Sequence, residues 1–250
     1  MRAARLYLPT AIAQGAELDV DGDALHYIAR VLRARNGDAL TLFNGTGGEY
    51  SARVMAISKR AARVQVLDFD PVNRASALQV VLALGVSKGE RMDLAIQKCT
   101  ELGVNAIQPL LTTRSVVNFR DAQRTDKRVE HWRQVTYSAC EQCERNIVPI
   151  VNTPTSLAQW LSNWRAAPTD IGLLLGREAA APLSALPAPL GRVALLIGPE
   201  GGLDEMEQGS ALAAGFHGLS LGPRTLRTET AAIAAVTAVQ LQWGDLNGAT

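Results

Sequence analysis

Cysteine is scarce: the 250-residue chain holds three, Cys99, Cys140 and Cys143. An odd, sparse set argues against a disulfide framework. Cys140-Glu-Gln-Cys143 is formally a CxxC. A redox pair belongs at a helix N-terminus, where the dipole lowers the thiol pKa. This one falls late in a helical pattern that starts near Asp126. Val129, Trp132, Thr136, Ala139 and Cys143 recur on one face of it, so Cys143 reads as core. No second cysteine pair exists to complete a zinc site, and no metal is expected. Apolar runs of the ~20 residues that span a bilayer are also missing. The opening MRAARLYLPT lacks the apolar core of a secretory leader. The expected location is cytoplasmic.

A dominant charge is missing as well. The formal net charge is +1, which gives no global signal for nucleic acid. Of the 25 basic residues, 21 are arginine. Arginine suits RNA backbone and base stacking, although a GC-rich genome produces the same bias. The chain also contains neither GxxxxGK[ST] nor GxGxxG, which argues against the common nucleotide and dinucleotide folds. What is present describes an ordinary globular protein, 47% apolar and 20% charged. Its length allows one large or two modest domains with ample core.

The most informative stretch runs from Asp170 to Ala231. Three short apolar runs each stop at a glycine: IGLLLG at Gly176, VALLIG at Gly198 and LSLG at Gly222. Each reads as a strand buried on both faces of a parallel sheet. Helical segments follow the second and third runs. Ligands of open α/β sheets bind at the carboxyl ends of strands, and glycine lets backbone approach a ligand closely. The middle turn, Gly198-Pro199-Glu200-Gly201-Gly202, carries a carboxylate and no lysine. It would repel phosphate and attract a cation. A positively charged nucleoside ligand such as S-adenosyl-L-methionine fits better than ATP or NAD. One such turn alone is an ordinary strand-to-helix turn; three together favour a site. After the third, Thr228 can cap a helix and Glu229 suits its positive end. Ala231, Ala232, Ala234, Ala235 and Ala238 keep that helix thin, able to pack against the sheet or a second subunit. Arg224 and Arg227 precede it, either as surface arginines or as donors to phosphate or carboxylate.

Residues 1–73 read as β-rich, with strands at Ala39–Phe43, Tyr50–Ile57 and Arg63–Phe69. Asn44–Gly48 forms a hairpin turn, and a short helix is expected from Asp23 to Arg33. Arg30, Arg33, Arg35, Arg53, Lys59, Arg60 and Arg63 make this part locally basic, which fits an RNA-binding barrel or a solvated surface equally well. Pro71–Ser76 reads as a linker, dividing the chain into 1–73 and 74–250. Beyond it, Leu78–Val86, Gly89–Leu102 and Ala106–Leu111 form a βαβ unit on a parallel sheet. In its helix Met92, Leu94, Ala95, Cys99 and Leu102 point largely inward. Thr112–Asn118 extends the strand region. A strand at Val148–Val151 and a helix from Ser156 to Trp164 follow. Ala179–Leu190 is a Pro-rich loop, expected to cover the site flexibly.

IGPEGGL (197–203) and LSLGPRTLRTETA (219–231) resemble the signatures of the SPOUT methyltransferases. More closely, they resemble the ribosomal RNA small subunit methyltransferase E family, which methylates N3 of a uridine in 16S rRNA. HYIARVLRARNGDAL (26–40), FNGTGGEY (43–50), KGERMDLAIQKCTELGVNAIQPL (88–110) and SACEQCERNIVP (138–149) extend the resemblance over nearly the whole chain.

The resemblance implies an α/β fold: a C-terminal SPOUT domain with a trefoil knot, and an N-terminal PUA-like β-barrel that helps hold the rRNA. It implies a homodimer with the knots at the interface. S-adenosyl-L-methionine would be held by Leu175, Gly176, Ile197, Gly198, Pro199, Glu200, Gly201, Leu221, Gly222 and Leu226. Arg227, Glu229 and Arg224 are the expected catalytic residues. Arg2, Arg5, Arg30, Arg33 and Arg35 are the expected RNA contacts. None of His26, His131 or His217 lies in a signature turn, so no histidine base is expected. Rival readings are a methyltransferase acting on tRNA, a non-catalytic RNA-binding protein and a nucleotide-dependent dehydrogenase.

Overall fold

The computed structural model describes residues 3–115, 121–164, 167–176 and 182–248. Arg2, the end of the expected 112–118 extension and residues 179–181 of the expected covering loop lie outside them. Two units emerge. The first comprises Met1–Ala75 and Tyr137–Val148, the second Ser76–Thr136 and Pro149–Thr250. The sequence-based division instead assigns residues 137–148 wholly to the second domain.

In the first unit the chain forms β1 (Ala4–Tyr7), β2 (Glu17–Val20), α1 (Gly22–His26), β3 (Ala39–Phe43), β4 (Glu49–Ile57) and β5 (Ala62–Asp70). They make one sheet in the order β1-β3-β4-β5-β2. Every second residue points inward, as a half-buried strand requires. Ala52 and Val54 of β4 and Ala62, Val64 and Val66 of β5 meet Leu6, Ile28, Leu40 and Leu42 in the core. The Asn44–Gly48 hairpin is present, with Gly45, Gly47 and Gly48 all at positive φ, where side chains are disfavoured. The four-residue β1 and β2 are too short to leave a periodic signal. The expected 23–33 helix is shorter: α1 stops at His26 and passes into a π-helical turn, Tyr27–Val31. Arg33 then takes a left-handed conformation, φ 50°, which breaks the helix.

Residues 137–148 belong to this unit for identifiable reasons. Tyr137 stacks on Tyr7 with ring centroids 4.2 Å apart. The Tyr7 backbone N–H donates to Glu141 at 2.9 Å. Asn146 Nδ2 donates to Glu49 at 2.9 Å.

The second unit runs β6 (Gln79–Gly85), α2 (Glu90–Glu101), β7 (Ala106–Leu111), α3 (Ala122–Cys143, whose last turns count with the first unit), β8 (Ile150–Val151), β9 (Thr155–Ser156), α4 (Leu157–Asn163), β10 (Ile171–Leu175), β11 (Arg192–Ile197), α5 (Glu205–Ala213), β12 (Phe216–Leu219) and α6 (Thr228–Trp243). The sheet order is β12-β10-β11-β6-β7-β8, with β9 beside β7, and every pair is parallel. Both faces are covered. Val80, Leu82 and Leu84 of β6 and Val193, Leu195 and Ile197 of β11 join one core. Ala83, Ala194 and Leu196 join the other. That is why these strands read as continuous apolar runs.

Several expectations are corrected. The third apolar run is not a strand throughout: β12 is Phe216–Leu219, and Ser220–Gly222 leave it as loop. Helix α6 begins at Thr228, with Arg227 at the N-cap position and no side-chain cap. The Arg227 carbonyl accepts from Ala231 N–H at 2.7 Å, so Thr228 is already inside the helix and buried. Leu94 is exposed and Ile96 takes the inward place. Strand β7 ends at Leu111. In α3, Cys140 is buried and Cys143 only half-buried. Burial pushes the Cys140 thiol up to about 12, the opposite of a redox cysteine. The alanine-rich α6 lays Ala232, Ala235, Val236 and Val239 into the core that it shares with α2. Among the described residues no helix is long and apolar enough to cross a membrane.

Candidate functional site

Because β6, β10, β11 and β12 are parallel neighbours, their carboxyl ends share one edge of the sheet. A cavity of about 510 Å³ opens there, within the range of roughly 300–1,000 Å³ typical of small-molecule sites. Leu175 and Gly176 at the end of β10, Ile197 to Leu203 at the end of β11 and beyond, and Leu219 to Gly222 at the end of β12 and beyond line it. All ten expected cofactor residues therefore reach one cavity. Arg224 and Arg227 line it too, and Glu229 does not.

The glycines do different work. A Cβ on Gly198 would press on the backbone of Gly202 and Leu203 at 2.8 Å, so the turn folds tightly on itself there. At Gly85, which ends β6, a Cβ would run into Pro199. Among the described residues nothing lies within 4 Å of a Cβ at Gly176, which also lines the cavity. Gly222 sits at φ +98°. Thus Gly85 and Gly198 shape the wall, and Gly176 keeps it open.

The Gly198–Gly202 turn is closed by Gly202 N–H donating to the Pro199 carbonyl at 2.8 Å. It is clamped from two sides. Glu200 Oε1 accepts from Lys88 N–H and Arg91 Nη1, both at 3.2 Å. Burial alone would raise the Glu200 carboxyl, but its own backbone N–H, the Lys88 N–H and the Arg91 guanidinium outweigh that and hold it below its ordinary value. On the other side Arg114 Nη1 donates to the Gly201 carbonyl at 2.8 Å. Just beyond, Asp204 and Glu207 form a reciprocal capping box that starts α5. Thr113 N–H donates to the same Glu207 at 2.8 Å. Glu200 is therefore a charge already paired with the protein. Sequence alone leaves it open to a cationic ligand.

Arg224 and Arg227 are exposed. Neither guanidinium has a carboxylate or hydrogen-bond partner among the described residues. Glu229 is 7% exposed, and its Oε2 has no hydrogen-bond partner.

The sequence reading missed Arg91 and Arg114. A signal existed for Arg91: β6 is a further strand of the same parallel sheet, ends at Gly85 and is followed by Lys88-Gly89-Glu90-Arg91 at the same edge.

Arg5 is not an available RNA contact. Its side chain is 8% exposed and pairs with Glu49 at 2.6 Å. Its guanidinium also lies 4.9 Å from the Phe43 ring centroid. Arg30, Arg33 and Arg35 are exposed. Among the described residues no group of three or more His, Cys, Asp or Glu could hold a metal ion.

Comparison with known proteins agrees with this geometry. An RNA methyltransferase domain model matches residues 74–240. An RNA methyltransferase PUA domain model matches residues 20–67. The ribosomal RNA small subunit methyltransferase E of Buchnera aphidicola (Schizaphis graminum) is 34% identical over 98% of this chain and 99% of its own. A Legionella pneumophila methyltransferase solved with bound SAM superposes with a TM-score of 0.93, at 39% identity, covering 98% of this chain and all of that one. The Neisseria gonorrhoeae ribosomal RNA small subunit methyltransferase E, bound to S-adenosyl methionine, gives 0.90 at 36% identity, covering 98% and 99%. The chain belongs to the ribosomal RNA small subunit methyltransferase E family.

Proposed function

We propose that this chain transfers a methyl group from S-adenosyl-L-methionine to N3 of a uridine in 16S rRNA, acting in the cytoplasm on the small ribosomal subunit. The observation that carries the reading is the cavity at the carboxyl ends of β10, β11 and β12, lined by two arginines that have no partner among the described residues. The wall suits the cofactor: Leu175, Ile197, Leu221 and Leu226 offer apolar surface, and the space beside Gly176 is open. When bound, the cofactor supplies an electrophilic methyl carbon.

The protein's part is to orient, hold and stabilise. Fixing two reactants in line is worth ~7–11 kcal/mol. The doubly clamped turn at Gly198–Gly202 gives the wall that rigidity. The N3 proton must leave as the N3–carbon bond forms and the carbon–sulfur bond breaks with its electron pair on sulfur. Arg224 and Arg227 can stabilise the negative uracil or hold its phosphate. Glu200 acts as a positioning carboxylate, because Arg91 and Lys88 already occupy it. Glu229 is buried off the cavity wall and reaches the substrate only if its turn moves. N3 lies on the pairing edge, so the uridine is unpaired or flipped out. Arg30, Arg33 and Arg35 serve as RNA contacts. The trefoil knot and the homodimer belong to the same proposal, and sedimentation tests the dimer.

The test is transfer of labelled methyl to small subunits lacking the modification, with the product nucleoside identified. Appearance of 3-methyluridine supports the proposal. Cofactor binding without transfer to subunits or free 16S rRNA would refute the substrate assignment and point to tRNA.

A further inference from the structure

Among the described residues the cavity wall carries three arginines and one glutamate: Arg91, Arg224, Arg227 and Glu200. The glutamate is paired with Arg91 at 3.2 Å. Two positive charges, Arg224 and Arg227, are left without a counter-charge among the described residues. The N-terminus of the 16-residue α6, whose Thr228 and Ala231 also face the cavity, adds its partial positive charge. Glu229, in the first turn of α6, is absent from the wall. The described wall is thus net positive before any ligand enters.

S-adenosyl-L-methionine carries a sulfonium, an ammonium and a carboxylate, so it is a net cation. Its demethylated product, S-adenosylhomocysteine, has a neutral thioether and no net charge. The two otherwise share their polar groups. A net-positive cavity therefore separates them by charge alone.

We propose that Arg224 and Arg227 make the cavity sense the charge of its ligand, so that it favours the neutral product over the cationic donor until a polyanionic RNA segment lies against the two guanidinia. The inference rests on the reading of the cavity as the S-adenosyl-L-methionine site. It makes donor and RNA binding mutually reinforcing. Phosphates that neutralise the arginines remove the repulsion felt by the sulfonium, and linkage makes the effect reciprocal. It also makes release of methylated RNA a step that leaves the product ligand tightly held.

Calorimetric titration of the full-length protein with each ligand tests this, because the ratio of the two dissociation constants cancels any loss of folded protein. In wild type at low salt, the donor should bind about three- to tenfold more weakly than the product. In the double variant Arg224→Gln/Arg227→Gln the ratio should fall towards one. Raising the salt, or adding a short uridine-containing RNA oligonucleotide, should lower it in wild type but barely in the variant. An unchanged ratio in the variant would overturn the proposal. So would equal weakening of both ligands, which would mean that the arginines anchor the carboxylate common to both. If wild type binds neither ligand, the cofactor reading itself falls, and this inference with it.

Discussion

Arginine plays opposite parts in the two units. In the first, Arg5 and Arg74 converge on Glu49, which accepts from them at 2.6 and 2.9 Å and from Asn146 at 2.9 Å. Burial would raise the Glu49 carboxyl, but the two guanidinia outweigh it and hold it low. In the second, Arg224 and Arg227 line a cavity and meet no carboxylate among the described residues. The same side chain is a structural tie in one place and a free donor in the other. The difference lies in the partner, which is distant in sequence, and local basic character does not reveal it.

The comparison can be broken first at Arg5. Replacing it with alanine leaves the half-buried Glu49 without its closest cation, and loss of a buried partner costs about 3–5 kcal/mol. The low end is expected because Arg74 and Asn146 remain. Denaturant unfolding should show this, and a loss below about 1 kcal/mol would mean that Arg5 is not the tie described. Arg227→Ala should do the reverse. Methyl transfer should fall about 100-fold, the scale for one donor to developing negative charge. The melting temperature should stay put, because exposed substitutions rarely move stability by more than about 0.5 kcal/mol. Wild-type turnover would remove Arg227 from the mechanism.

The third test uses pH. The Glu49 carboxyl is lowered by folding, so its contribution is fully present above its ordinary value of 4.5. It is lost as pH falls through the lower folded value. The first unit should lose stability as pH falls below 4.5 and through that lower folded value, and Glu49→Gln should flatten that dependence. Equal slopes in the two proteins would contradict the sign. The smallest effect is expected at Arg33, held at φ 50°. Arg33→Gly should gain up to about 1 kcal/mol by relieving the left-handed conformation, while weakening RNA binding.

How much of this could be read from the chain depends on range. Strands β10 and β11 were legible because both their faces are buried, which leaves Ile171–Leu175 and Val193–Ile197 as unbroken apolar runs. Strand β12 lies at the sheet edge with His217 exposed. Its apolar signal was therefore weaker than that of the loop after it, and the strand was placed too late. Gly176 and Gly198 marked the cavity because each follows a strand directly, whereas Gly222 lies three residues beyond β12. The partners that set the charges were hidden. Glu49 is 44 residues from Arg5, and Arg91 is 109 from Glu200. No pattern of spacing links either pair. Sequence alone therefore leaves Arg5 as an RNA contact and Glu200 as a charge free to meet a ligand, and the structure pairs both. Segment 137–148 shows the same limit, since its stacking of Tyr137 on Tyr7 joins two distant stretches.

The measurement that bears most directly on the account compares methyl transfer to undermethylated small ribosomal subunits by wild type and by Arg224→Gln/Arg227→Gln, with the labelled nucleoside identified and folding checked alongside. The account predicts 3-methyluridine from wild type and almost none from the folded variant. Full transfer by the variant, or label on a different nucleoside, would contradict it.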